Sequence, residues 1–180
     1  DCAGNLFLGR ELLHFGIFLD HRAMYQETEK LLRQFHIRIP DIRQPVEKMS
    51  GGQRQAVAIA RAVYQNGDIM IFDEPTAGQD LEGLARLSKL NKILTERGKA
   101  IVTITHDMEF VAENYERTIV MCQKKVLADG KTKDVFFQKD IMEKAMLKQP
   151  VIVRIANQIG MKENTLDIKK VAKFVADNRG

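Results

Sequence analysis

The chain has 180 residues, 44% hydrophobic and 29% charged, ordinary values for one soluble globular domain with a sizeable core. No apolar run approaches the ~20 residues that span a bilayer, and no signal peptide, internal repeat or low-complexity stretch is visible. The net charge of +4 belongs to the C-terminal tail: from Gly130 onward 11 Lys and Arg face 6 Asp and Glu, while the rest is near neutral, a pattern that reads as a solvated helical surface.

Cys2 and Cys122 are the only cysteines. They lie far apart without C-x-x-C spacing and read as free thiols of a reducing compartment. Asn5 to Phe18 mixes apolar residues with two glycines and carries no firm pattern. His21 to Phe35 reads as an amphipathic helix with Asp20 as N-cap, its apolar face carrying Met24, Leu31, Leu32 and Phe35. Pro40 and Pro45 mark the stretch Ile37 to Val46 as a loop or extended connection.

Met49-Ser50-Gly51-Gly52-Gln53 then opens a helix that runs to about Tyr64. Two glycines let the backbone approach a ligand closely. The helix behind them presents free N–H groups and a positive dipole end, which suits a phosphate. Ser50 with Gln53 three residues later is also an ordinary capping box, and the pentapeptide by itself fits either role.

Asn66-Gly67-Asp68 is a turn, and Ile69 to Phe72 a short apolar run expected to be a strand buried on both faces. Asp73-Glu74-Pro75 stands at its C-terminal end. Leu81 to Glu96 reads as a helix ended by Gly98, and Ala100 to Thr105 as a second buried strand with His106-Asp107 at its end. Asp107 caps a short helix from Met108 to about Asn114. Arg117 to Cys122 and Val126 to Asp129 form a hairpin, though Gln123-Lys124-Lys125 is a poor turn sequence. From Lys131 the chain reads as helical, with breaks near Pro150 and Asn164.

Strand, helix, strand with short turns implies a parallel α/β core, in which ligands bind beyond the C-terminal strand ends. Asp73, Glu74 and His106 all have that address. Adjacent residues at a strand end point in different directions, so one carboxylate can face a metal while its neighbour faces a water. The alternative is that both acids are surface residues opening a turn at Pro75; the apolar strand before them favours function. For Asp80 a helix N-cap and a functional role stand equally open. The methionines read as core filler. His14, His21 and His36 have no metal-ligand spacing and receive no role.

The order of these elements resembles the C-terminal part of the nucleotide-binding domain of ATP-binding cassette (ABC) transporters. Met49 to Gln53 matches the family signature, usually begun by leucine; Ile69 to Glu74 matches the Walker B strand; Ala77 to Asp80 occupies the D-loop position; His106 matches the switch histidine. Ser50 and Asp73 are 23 residues apart, and Asp73 and His106 are 33 apart. The resemblance implies an incomplete P-loop NTPase fold: a helical subdomain over residues 1–49, an α/β core over 50–129 and a basic helical extension over 130–180. It implies ATP and Mg²⁺ as ligands. Asp73 would hold the metal, Glu74 would be the general base and His106 would sense the γ-phosphate. Ser50, Gly51, Gly52 and Gln53 would serve a nucleotide held by a second nucleotide-binding domain in a head-to-tail dimer, and Asp80 would link the two sites. A transmembrane permease subunit is the other implied partner, at the cytoplasmic face of the membrane; no nucleic acid is implied.

The pattern departs from the family in one respect: no G-x-x-x-x-G-K-[ST] occurs in these 180 residues. With no initiating methionine either, the chain reads as a fragment, expected not to bind ATP tightly alone. Asn5 to Glu11 and the segment through Ala62 look like monosaccharide importers, whereas Asp73 to Asp80 and Ile101 to Asp107 look like energy-coupling-factor ATPases, which serve vitamins or metal ions. Two other readings stand beside the importer. One is a non-catalytic module that donates its signature turn or docks on a membrane subunit. The other is a DNA-repair-type ATPase head, disfavoured because no sustained heptads precede Ser50.

Overall fold

A computed structural model describes residues 1–178. They form two compact units, Asp1–Ile104 and the part from Thr105 on.

The first unit begins with α1 (Cys2–Leu6), capped by Asp1, and a short antiparallel pair, β1 (Leu13–His14) and β2 (Phe18–Leu19). These elements occupy the stretch that carried no firm sequence pattern. Helix α2 (His21–Gln34) starts where expected, because the Asp20 carboxylate accepts from the Ala23 N–H at 2.8 Å. A connection with a 3-10 turn at Val46–Lys48 leads to α3 (Gly51–Gln65). Its C-cap Asn66 is left-handed, a conformation that asparagine adopts more readily than most residues. Strand β3 (Ile69–Asp73), helix α4 (Leu81–Glu96) and strand β4 (Ala100–Ile104) complete a β-α-β unit. The strands are parallel, from Ile69 opposite Ala100 to Asp73 opposite Ile104. Gly98, with φ of +78°, takes the chain from α4 to β4.

The core of this unit joins Leu6 and Phe7 of α1, Met24 and Leu32 of α2, Val57, Ala60 and Val63 of α3, Met70 and Phe72 of β3, and Leu90 and Leu94 of α4. The Phe7 and Tyr64 rings meet at 4.5 Å between centroids. The burial expected for the two strands is corrected here. Met70 and Phe72 are buried, but Ile69 and Ile71 are 66% and 67% exposed, and Val102 and Ile104 are about half exposed. A continuous apolar run reads the same whether one face or both are packed. Alternation of side chains across the pleat turns Met70 and Phe72 to the core and leaves Ile69 and Ile71 on the open face.

In the second unit, α5 (Met108–Asn114) is capped by Asp107, whose carboxylate accepts from the Phe110 N–H at 3.0 Å. Strands β5 (Arg117–Cys122) and β6 (Lys125–Lys131) pair antiparallel with an irregularity at Val120/Met121. Their two-residue connection has φ of 48° at Gln123 and 64° at Lys124. Positive φ at both positions is what a type I′ hairpin turn requires, so the turn forms despite side chains that do not favour it. Helices α6 (Thr132–Phe136), α7 (Lys139–Lys144), α8 (Val151–Gln158) and α9 (Ile168–Asp177) follow. Pro150 N-caps α8, and Asn164 falls in the connection before α9, so both expected breaks are present. No cap side chain of its own serves α8; instead Glu109 of α5 accepts from the Val151 N–H at 2.8 Å. Val135, Phe136, Met142 and Val153 are essentially fully buried at the centre of this unit. Lys169, Lys170 and Lys173 stay exposed on α9.

Both cysteines are free. Burial pushes the Cys2 thiol up to about 11, opposed by the nearby N-terminal ammonium, which keeps it protonated and unreactive at neutral pH.

The half-covered sheet sets a measurable contrast. Phe72→Ala removes a buried ring and is expected to cost about 3–5 kcal/mol in urea unfolding, whereas Ile71→Ala on the open face costs less than about 1 kcal/mol. Comparable losses at the two positions would contradict the one-sided packing.

Candidate functional site

Helix α3 starts at the first glycine of the motif. Ser50 is its N-cap: Oγ accepts from the Gln53 N–H at 3.3 Å, and Gln53 Oε1 accepts from the Ser50 N–H at 2.8 Å. The capping box is therefore realised. It uses the N–H groups of Ser50 and Gln53, and the N–H groups of Gly51 and Gly52 precede the first residues that bond within the helix. Two contacts hold the turn in place. Met49 is buried, and Arg54 Nη1 donates to the Met49 carbonyl at 2.8 Å. Ser50, Gly51 and Gly52 are exposed. A side chain at position 51 would meet no neighbouring atom within 4 Å; it would instead fill the space in front of the N–H groups.

Strand β3 delivers the two acids. Asp73 is exposed at its last position, opposite Ile104. Among the described residues no group of three or more His, Cys, Asp and Glu gathers as a metal cage. A lone exposed carboxylate fits magnesium, which binds one or two carboxylates and completes its octahedron with water and substrate phosphate. Glu74 has φ of 44°. Its N–H donates to the Ile104 carbonyl at 2.8 Å, and its carbonyl accepts from the Ala77 N–H at 3.1 Å. The reversed φ ends the strand and sends Glu74 in a direction that the pleat would not. Such a conformation costs an L-residue about 1–2 kcal/mol.

The loop that follows carries Gly78 with φ of 68° and closes with the Gln79 N–H donating to the Thr76 carbonyl at 3.1 Å. Asp80 is the N-cap of α4, accepting from the Gly83 N–H at 2.7 Å. Of the two roles left open for Asp80, the cap is present in the structure. Arg86 approaches Asp80 at 3.9 Å and Glu82 at 2.6 Å.

A cleft of about 490 Å³ lies within the first unit, with Ser50, Gly51, Gly52, Gln53, Gln79 and Asp80 on its walls and Ile37, Ile59, Leu87 and Leu90 among its apolar lining. The structure thus brings the glycine turn and Asp80 to one cavity. Asp73 and Glu74 do not line it. His106 is exposed in the second unit, immediately before the cap Asp107.

One residue of this site, Gln55, escapes motif reading, and it meets Gln79 of the Ala77 to Asp80 match. Gln55 Nε2 donates to the Pro75 carbonyl at 2.8 Å, and Gln79 Nε2 donates to Gln55 Oε1. The available signal was weak: Gln55 is one of three consecutive polar residues, with Gln53 and Arg54, in the first turns of α3.

Comparison with known proteins agrees with this geometry. Residues 6–77 match the ABC transporter family. The chain is 39% identical over 130 residues to the xylose/arabinose import ATP-binding protein XylG of Sulfolobus acidocaldarius, covering 72% of this chain and 51% of that one. Its fold is similar to cbiO1 from Clostridium perfringens, part of the ABC transporter complex cbiONQ, with a TM-score of 0.55, 28% identity, and 79% and 57% of the two chains covered. It is likewise similar to the ATP-binding cassette MJ0796 in a dimeric post-hydrolysis state bound to ADP and Pi, with a TM-score of 0.61, 25% identity, and 73% and 56% covered. The fold is therefore a partial P-loop NTPase fold of the ABC ATPase type, and the chain spans about half the length of XylG.

The left-handed backbone at Glu74 is testable. Glu74→Gly relieves the Cβ conflict, while Glu74→Val places a β-branched residue where it is an outlier. The valine variant is expected to unfold at lower urea, about 1–2 kcal/mol less stable than the glycine variant. Equal midpoints would place Glu74 in ordinary backbone.

Proposed function

Because residues 6–77 carry the ABC transporter domain, we propose that the chain is part of the ATP-binding subunit of a solute importer, acting on ATP at a shared site with a second nucleotide-binding domain. The observation that carries this reading is the α3 turn, whose exposed Ser50, Gly51 and Gly52 lie on the wall of a cleft. A helix N-terminus of this kind stabilises phosphate oxygens through N–H groups and dipole together.

In this reading Ser50, Gly51, Gly52 and Gln53 bind the γ-phosphate of an ATP held by the partner domain. Asp73 would hold a magnesium ion, which would supply charge neutralisation at the triphosphate. Glu74 accepts the proton of the attacking water as the γ-phosphoryl group leaves ADP. Asp80, fixed as the cap of α4, links the loop to the neighbouring site, and His106 contacts the γ-phosphate and reports its loss. Head-to-tail pairing supplies each ATP with groups from two chains, and its reopening after hydrolysis drives a transmembrane permease subunit from the cytoplasmic face. Among the described residues no helix is long and apolar enough to cross a membrane.

The similarity to XylG makes a monosaccharide the favoured solute class; the likeness of Asp73 to Asp80 and Ile101 to Asp107 to energy-coupling-factor ATPases keeps vitamin or metal-ion import as the second reading. The ATPase does not touch the solute in either case. A non-catalytic variant of the same role has its own support. The turn opens on a cleft that Asp73 and Glu74 do not line, which suits donation of the turn to a nucleotide bound elsewhere.

The test mixes this chain with an intact nucleotide-binding domain of a sugar importer whose own signature serine is replaced by arginine. Phosphate release is expected to rise with added chain, to fall about 10²-fold or more with Ser50→Arg, and to vanish when EDTA removes magnesium. No rescue by the unmodified chain would refute the shared-site reading.

A further inference from the structure

Helix α3 and the loop after β3 are joined by side chains rather than by backbone. Gln55, one turn behind Gly52 on α3, reaches across to the loop, and its Nε2 donates to the Pro75 carbonyl at 2.8 Å. Its Oε1 accepts from Gln79 Nε2. One amide is thus used at both ends, and both groups are partly buried. Neighbouring atoms accommodate the pair. A Cβ on Gly83 would overlap Gln79 Oε1 and lie 3.2 Å from Gln79 Cβ, so only glycine there leaves Gln79 its position. Gly52 faces the same amide, since a Cβ at position 52 would lie 3.8 Å from Gln79 Nε2. The segment between the two anchors, Pro75 to Gln79, contains the turns closed by the Ala77 and Gln79 N–H groups, and the first of these closes on the carbonyl of Glu74.

We propose that Gln55 and Gln79 form an amide clasp that positions the loop bearing Glu74 and Asp80 on helix α3, so that the phosphate-facing turn and the acidic loop move as one body. Gln55 and Gln79 are positioning residues: they act on Glu74 through Pro75 and the loop, and on Gly52 through the helix. Backbone pairing with β4 fixes the start of the loop at Glu74, and the Asp80 cap fixes its end. Between these points the clasp anchors the loop to α3 through side chains. The role in hydrolysis rests on the shared-site reading above, whereas the mechanical link does not.

Two measurements separate them. In the chain alone, Gln55→Leu keeps the volume and removes both bonds. Amide hydrogen exchange at Ala77 and Gln79 is expected to quicken about tenfold, with the urea midpoint unchanged. Gly83→Ala, which displaces Gln79, is expected to do the same. Gln55→Glu, which keeps the acceptor for the Gln79 amide, is expected to restore part of the protection. Unchanged exchange, or a fall in the urea midpoint large enough to account for faster exchange, overturns the clasp. In the mixture with the signature-deficient domain, Gln55→Leu is expected to lower stimulated kcat about tenfold at unchanged KM for ATP, as loss of positioning does. Stimulation unchanged by Gln55→Leu overturns the positioning role. A wild-type chain that stimulates nothing counts against the shared-site reading, and the exchange result then decides the clasp by itself.

Discussion

Everything in the first unit depends on how the N-terminus of α3 is held. A helix leaves its first N–H groups without internal partners, and here the sequence divides them. Ser50 and Gln53 satisfy each other reciprocally, while Gly51 and Gly52 follow with no side chain to cover their N–H groups. Behind them, Val57, Ala60 and Val63 bury the helix in the core, and in front the buried Met49 prevents the turn from swinging away. A cap and a phosphate site are often weighed as alternatives. In this chain the cap is formed, and its reciprocal bonds leave the N–H groups of Gly51 and Gly52 outside it, as the proposed phosphate role requires.

The acidic loop obeys a different constraint. Strand β3 must end where Asp73 and Glu74 begin, and it ends by reversing φ at Glu74. An L-residue accepts that conformation only when its surroundings over-determine it. Three contacts do so: the bond from Glu74 to Ile104 on β4, the turn closed by Ala77, and the Gln55–Gln79 pair that ties the loop to α3. Backbone held in this way fixes the direction of the Glu74 carboxylate, a condition that the general-base role proposed for it requires.

The sheet is packed on one face only. Parallel strands are normally covered on both faces, and Ile69, Ile71, Val102 and Ile104 form an aliphatic row on an open one. Composition alone counted these residues as core.

The sequence by itself determined the local elements of this protein. Asp20, Ser50, Asp80 and Asp107 each stand just before a helix and each caps it, because capping needs only a side chain and a backbone N–H two or three residues on. The strand at Ile69–Asp73 and the helix at Leu81–Glu96 were legible from apolar runs and breakers for the same reason, and four motifs in register pointed to the ABC ATPase fold. The segment before Asp20 was not legible, since α1 and the two-residue strands there are too short to build a periodicity. Tertiary structure alone decided which face of β3 is packed, because a run of four apolar residues carries no alternation to read. It alone decided that Gln55 meets Gln79, 24 residues away, and that Gly83 must make room for them. Such pairings arise only when the β-α-β unit closes against α3, and no local spacing encodes that closure.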